Sequence, residues 1–389
     1  MSEGTGTAPG GPLAGVRVIE IASIGPGPFG CMLLADMGAD VIRVSRPQPA
    51  TSPSFQRSDL TNRGKRSIVL DLKHDAGLRV ARDLIRAADV LVEGFRPGVM
   101  ERLGLGPEES LHDNPRLVYG RMTGWGQSGP LAQRAGHDIN YISLTGALWA
   151  SGRREERPVP ALNLVGDYGG GAMFLVFGIV SALYERERSN RGQVVDAAMV
   201  DGVAALTTSH HALRHGGLWA DQRGRNLLDS GAAFYEVYEC ADGKFVSVGA
   251  IEPEFYAELV RLTGFRAGRT DAERFARGSG DEEKLEWAAL FKTRTRDEWA
   301  ALAFSADACL APVLDWAEAP AHPQLRARGT FIEPGGVTQP APAPRFSRSR
   351  AEVRARPPVN GEHANEILAE AGLADDAIGA LRAIGAIGD

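Results

Sequence analysis

The chain has 389 residues, 43% apolar and 24% charged, with a formal net charge of −6. This is the profile of an ordinary globular protein of two or three domains, and it argues against a basic nucleic-acid binder, since no Lys/Arg block stands out. Three cysteines, Cys31, Cys240 and Cys309, without a CxxC spacing argue against a disulfide framework or a zinc site and fit a reducing cytoplasm.

Met1 to Pro12 is small and Gly/Pro-rich, without the basic and apolar regions of a signal peptide, and reads as a loose tail. Val16–Ile21 predicts a strand, Phe29–Met37 a helix stopped at Gly38, and Val41–Val44 the next strand, a β-α-β unit whose strands are expected to be parallel. Ser67–Leu72, Val90–Glu93 and Leu117–Met122 predict further strands and Ala76–Ala87 a helix, so an open α/β layer is expected over the first 125 residues. Gly169 to Glu187 reads as a helix. Its most apolar run, Gly171–Tyr184, is too short to span a bilayer and is expected to be buried.

A strand at Gly192–Asp196 and a helix over Ala197–His211 follow. Asp242-Gly243, between Phe234–Glu239 and Lys244–Val248, is a strong hairpin signal. The expected layout is a tail (1–12), a large α/β domain (13–228), a small α+β domain (229–315) and a return segment to the large domain (316–389). Asp271–Arg296 reads as charged helix, Pro340–Pro358 as an extended surface segment and Glu362–Ala371 as the last helix.

Four motifs carry candidate chemistry. Gly25-Pro26-Gly27-Pro28-Phe29-Gly30 matches the G-x-G-x-x-G of dinucleotide sites. Pro26 and Pro28, however, have no N–H for a pyrophosphate, and the next strand ends in Arg46-Pro47 rather than in an acid for a ribose. A tight turn is the better reading, with Arg46 placed to grip the phosphorylated ribose of another adenine nucleotide. The second motif pairs the basic cluster Asn62–Ser67 with Gly94–Gly98. Ligands of open α/β sheets bind beyond the carboxyl ends of the strands, so Lys65, Arg66 and Arg96 suit phosphates there, or are solvated surface charge.

The third motif is Ala135–Tyr141. A lone histidine is more often structural than functional, but His137 follows a polar, Gly-containing loop and has the titration range of a general base. The fourth is Asn163–Gly171, where Asp167 reads as a helix N-cap, or as a functional carboxylate beside glycines and a helix start able to hold a developing oxyanion. Together the last two motifs supply an imidazole, a carboxylate and an oxyanion site. That set suffices to remove a proton beside a thioester carbonyl on one face and return one on the other.

With Ala22–Gly30, Arg63–Lys73, Gly94–Gly104, Met122–Pro130, Gly136–Tyr141, Asn163–Gly171, Gly192–Gly202 and Val248–Tyr256, the chain resembles the α-methylacyl-CoA racemases of the family III CoA-transferase (CaiB/BaiF) superfamily from about Gly15 to Arg345. The resemblance implies a large open, Rossmann-like α/β domain plus a smaller α+β domain, in an interlocked homodimer. It implies epimerisation of 2-methylacyl-CoA thioesters through an enolate, with His137 and Asp167 as the acid/base pair and Glu252 orienting the histidine across the dimer. It assigns CoA binding to Arg46, Val69, Leu70, Asp71, Leu72, Arg96, Arg102, Gly136, Asp138, Ile139, Asn140 and Tyr141. No metal, redox cofactor, nucleic acid or membrane is implied, because CoA is part of the substrate. A CoA-transferase with Asp167 as nucleophile, and a CoA-binding scaffold without chemistry, are the alternatives. Asp229–Phe234 departs from the Gly-Gly-Ala-Pro of close racemases, and the stretch around Gly264–Gly280 looks individual.

Overall fold

The computed structural model describes residues 10–49, 51–266, 268, 270–275 and 280–388. The first nine residues of the expected tail, and part of the individual stretch around Gly264–Gly280, lie outside the described residues. The chain forms two compact units, one of Met1–Thr145, Leu162–Leu206 and Gly329–Asp389, the other of Gly146–Ala161 and Thr207–Arg328. The expected boundaries at 228/229 and 315/316 therefore move to 206/207 and 328/329. Gly146–Ala161 joins the second unit because Arg153 pairs with Glu236, Arg154 with Asp281, and Arg223 donates to the carbonyls of Trp149 and Arg153.

The first unit is built on a seven-stranded sheet. β1 (Arg17–Ile21) pairs in parallel with β2 (Asp40–Ser45) and β4 (Val90–Glu93). β3 (Arg66–Leu70) extends it beyond β2, and β5 (Val118–Thr123) and β6 (Gln193–Ala198) extend it beyond β4. The order β3-β2-β1-β4-β5-β6 is that of a doubly wound nucleotide-binding sheet, so the expected Rossmann-like layer is present. The strands read as nearly continuous apolar runs because both faces are covered. Ile19, Ile42, Ile68 and Leu91 face the helices Asp75–Arg86, Ala364–Glu370 and Asp375–Ala383. Val18, Val41, Val90 and Val118 face α1 (Pro26–Asp36) and the helix Leu164–Ser189.

Two expectations need correction here. Glu362–Ala371 is not the last helix: Ala364–Glu370 is followed by Asp375–Ala383 and by a short strand, Ile387–Gly388, that runs antiparallel to β3 and closes the sheet edge. The apolar helix is also longer than expected. At 26 residues it is long and apolar enough to cross a membrane by length and composition alone. Leu175, Ile179, Ala182 and Leu183 pack into the sheet core, while Met173, Phe177, Val180 and Tyr184 are exposed.

In the second unit, β7 (Tyr235–Glu239) and β8 (Phe245–Gly249) form the expected hairpin around Gly243, and β9 (Leu310–Val313) pairs antiparallel with β8. Trp287, Phe291 and Trp299 fill its core. Of the helix expected over Asp271–Arg296, the described residues show Asp271–Arg274 and Gly280–Phe291, while Arg296 already belongs to the next helix, Arg296–Ala303, which Thr295 starts through a capping box.

A buried ion network stiffens the first unit at the ends of β4 and β5. Arg121 donates to Glu93 at 2.8 Å and to Glu101 at 2.7 Å, and the second Glu93 oxygen accepts the Phe95 N–H at 2.7 Å. Burial pushes the Glu93 carboxyl up, with its partners pulling the other way. Arg121→Met should thus strand a buried carboxylate and cost about 3–5 kcal/mol in urea unfolding. Glu93→Gln/Arg121→Met should recover most of that loss; a single-variant cost below about 1 kcal/mol would contradict the assignment.

Candidate functional site

The strand order reverses between β1 and β4, where doubly wound folds open a crevice at the carboxyl ends of the strands. The turn after β1 enters it through Gly25, at φ 71°, and α1 starts at Pro26. Prolines suit this first turn because its N–H groups need no helical partner. A Cβ on Gly27 would stand 2.6 Å from Ser23 Oγ and one on Gly94 3.0 Å from the same atom, so the loops after β1 and β4 meet at Ser23. Arg46 follows β2 and Arg96 follows β4; both are exposed, as is Arg102 in the last turn of Val99–Arg102. None of the three side chains has a hydrogen bond or ion pair among the described residues.

The basic cluster before β3 is neither a phosphate grip nor solvated charge. Lys65 is fully buried, 2.6 Å from Glu20, and donates to the Pro28 carbonyl at 3.0 Å and to Asn62 at 3.3 Å. Arg63 pairs with Asp36, and Arg66 with Asp40, Glu366 and Glu370. The side chains of Val69 and Leu70 are core residues of β3, which leaves only their backbone for the contact with CoA that the resemblance implies. Leu72 packs on the same core, and Asp71 is engaged locally, its carboxylate accepting the Lys73 N–H and its own N–H donating to Ala386.

His137 is exposed at the N-cap of the helix Asp138–Leu144, its N–H held by the Asn140 side chain at 3.0 Å. The ring of Tyr141 fills the space above two glycines: a Cβ on Gly124 would come within 2.0 Å of it and one on Gly136 within 2.8 Å. Its hydroxyl donates to the Gly136 carbonyl, and Trp125 packs edge-on at 4.7 Å. Gly136 and Tyr141 thereby shape the loop that presents His137. Burial and the Asp167 charge push the phenol up, against the pull of Arg96. Ile139 is exposed beside them.

Asp167 is not the N-cap. That place belongs to Asn163, and Asp167 lies in the first turn of a π-wound segment, Leu164–Ala172, in which the Tyr168 N–H reaches back five residues to the Asn163 carbonyl at 3.3 Å. Its N–H donates to the buried carboxylate of Asp138 at 2.7 Å, and its side chain accepts from Asn163 at 3.1 Å. An oxyanion site on these amides is therefore ruled out, since both are used. The N–H groups of Asp138 and Ile139 have no partner among the described residues. Burial and the Asp138 charge push the Asp167 carboxyl up, with Asn163 and His137 pulling it down. Glu252 belongs to the second unit, exposed at the cap of Pro253–Thr263, with its charge acting on the Cys309 thiol.

The family profile of CoA-transferase family III matches residues 13–364. The chain belongs to CoA-transferase family III. It is 46% identical to the α-methylacyl-CoA racemase of Mus musculus, over 94% of this chain and 95% of that protein, and 43% identical to the α-methylacyl-CoA racemase of Homo sapiens over the same shares. Its fold superposes on the crystal structure of a CaiB/BaiF family protein from Brucella suis with a TM-score of 0.78 at 29% identity, covering 93% of this chain and all of that one.

Within this family III chain, the sequence motifs gave no role to Asn163, Gly166 or Gly124. A Cβ on Gly166 would stand 2.3 Å from Asp138 Oδ2, so this glycine admits the carboxylate that binds Asp167. Only the density of glycines near each motif hinted at such close approaches. The Asp229–Phe234 departure is a closed turn, with Asp229 accepting the N–H groups of Gly224, Asn226 and Gly231.

The raised Asp167 carboxyl has a consequence for stability. Because the folded state holds this proton more tightly than the unfolded state, the stabilisation is present below the ordinary carboxylate value of about 4 and is lost as pH rises through the raised value. Asp167→Asn does not titrate. Its stability relative to the parent should therefore grow as pH rises from about 4 and then level off. Urea unfolding across pH 3–8 checks this, and a pH-independent difference would contradict it.

Proposed function

We propose that this chain is an α-methylacyl-CoA racemase that moves the α-proton of 2-methylacyl-CoA thioesters by 1,1-proton transfer. The observation that carries the reading is the bond from Asp167 N–H to Asp138, the residue next to His137, which brings an imidazole and a carboxylate of raised proton affinity to one place. The near full-length likeness to two proteins named as racemases supports it. One member of the pair takes the α-proton and leaves an enolate. The other donates a proton to the opposite face. The unpartnered N–H groups of Asp138 and Ile139, next to His137, are donors available to the enolate oxygen.

Arg46, Arg96 and Arg102, exposed and unpaired among the described residues, suit the phosphates of CoA. The chemistry calls for no resident cofactor or metal. Glu252 is assigned to orient His137 from the second unit of another copy, in a homodimer. The exposed Met173, Phe177, Val180 and Tyr184 on the long helix supply an apolar face consistent with such a partner. Three free cysteines, two of them buried, fit a reducing cytoplasm.

The test is α-exchange in deuterium oxide. Either epimer of a 2-methylacyl-CoA should take up one deuterium at the α-carbon and approach an equal mixture. His137→Ala and Asp167→Ala should each lower the rate by about a hundredfold or more. A CoA-transferase would instead form an acyl-aspartate that hydroxylamine traps at Asp167. Trapping without α-exchange would replace this reading.

A further inference from the structure

The most deeply buried charges of the first unit take no part in the proton transfer. Glu20, on β1, and Lys65, ahead of β3, are both completely buried and 2.6 Å apart. Burying two charges in an apolar core is costly, and an apolar pair of similar volume is often as stable or more so. Stability is therefore a weak reason to keep this pair, and its geometry suggests another. Lys65 Nζ also donates to the carbonyl of Pro28, in the first turn of α1. Arg43 approaches Glu20 at 3.9 Å, and the buried Cys31 of the same helix lies beside it.

The opposite side of that first turn bears on the segment that carries Asp167. Phe29 stacks on Tyr168 with ring centres 4.2 Å apart. A Cβ on Gly171 would touch Pro26 at 3.2 Å, and one on Gly30 would meet Leu175 and Val176 at 3.5 Å. A Cβ on Gly25 would stand 3.2 Å from Asp167 Oδ2. The start of α1 is thus clamped between a buried ammonium group and the π-wound turn. π turns are uncommon and often mark functional positions, and this one is wound on five-residue bonds such as that from Tyr168 N–H to the Asn163 carbonyl.

We propose that the Glu20–Lys65 pair is a positioning device for Asp167: through the Pro28 carbonyl it fixes the first turn of α1, and that turn sets the place of the carboxylate. The proposal rests on the racemase reading. Lys65 supplies the donor that reaches Pro28, and Glu20, 2.6 Å away, holds that donor in place in the core. The first turn of α1 brings no ionisable side chain to Asp167; the ionisable and hydrogen-bonding groups that act on the carboxylate are Asp138, His137 and Asn163, with Tyr141 close by. The effect of α1 is to keep water from one side of it. Loosening the turn lets water in and moves Asp167 back towards the ordinary carboxylate range.

The test compares Glu20→Gln/Lys65→Met with the parent in the α-exchange assay across pH. The double variant stays charge-balanced but has no donor for Pro28. It should fold with an unchanged far-ultraviolet spectrum and keep its KM for the acyl-CoA within about twofold, while kcat falls about tenfold or more, as for a displaced reacting group. The acid limb of kcat/KM should move to lower pH. Phe29→Leu, which weakens the same clamp without touching the buried charges, should shift the limb in the same direction. A folded double variant with parental kcat and pH profile would overturn the proposal. If the double variant does not fold, a parental profile in Phe29→Leu would do so. Exchange by the parent is the control: its absence would defeat the racemase reading itself, whereas parental exchange with unaltered variants would defeat only this inference.

Discussion

One hydrogen bond joins the two segments on which the site depends. Asp167 N–H donates to the carboxylate of Asp138 across 29 residues of sequence. The acceptor is buried, and its second oxygen has no partner, so the bond is formed where water competes little. It requires close approach. Gly166 leaves room for the carboxylate, while Gly124 and Gly136 leave room for the Tyr141 ring that holds the same helix from behind. Any side chain at these positions would drive the helix of His137 away from the π-wound turn of Asp167. The constraint is thus steric first and electrostatic second.

Much of the scaffold was legible because its signals are local. Val90–Glu93 is a strand with the expected limits, and the other five parallel strands of the sheet lie within about two residues of their predicted ends, as expected of assignments made from apolar runs. The Asp242-Gly243 turn was readable for the same reason, since the turn needs a residue at positive φ, here Gly243 at 75°, that few residues other than glycine supply. The C-terminal closure was missed because the strand at Ile387–Gly388 is two residues long and gains its meaning only from pairing with β3. The boundary between the units was misplaced because Gly146–Ala161 is held by Arg153 and Arg154, whose partners lie 83 and 127 residues away.

The candidate site was legible in part. His137 and Asp167 stand out by residue type and by the glycines around them, but sequence alone left each between a structural role and a chemical one. Charge was the least readable property. Lys65, Arg66 and Arg96 looked alike as basic residues near strand ends. Only Arg96 is exposed and unpaired among the described residues; Lys65 is sealed in the core, and Arg66 is spent on three carboxylates. A basic side chain next to a strand shows neither its burial nor its partner, because both are set by elements distant in sequence. The Asp167 assignment erred for a related reason: the turn is wound as a π-helix, which moves the cap four residues back to Asn163.

These placements bear on how a carboxylate and an imidazole can share one reaction. In a two-base proton transfer each group must act as base in one direction and as acid in the other. The exchange is most efficient when neither holds the proton much more tightly than its partner. Ordinary aspartate and histidine differ by more than two pH units, at about 3.9 and 6.5. Burial and the neighbouring Asp138 charge both raise Asp167, which narrows the gap. Asn163 and His137 oppose the rise, so the carboxylate keeps enough partners to stay oriented. The same environment gives Asp167 a higher proton affinity than an isolated aspartate. It follows from residues on three segments, Asn163, Asp138 and Gly25, that leave the carboxylate little water.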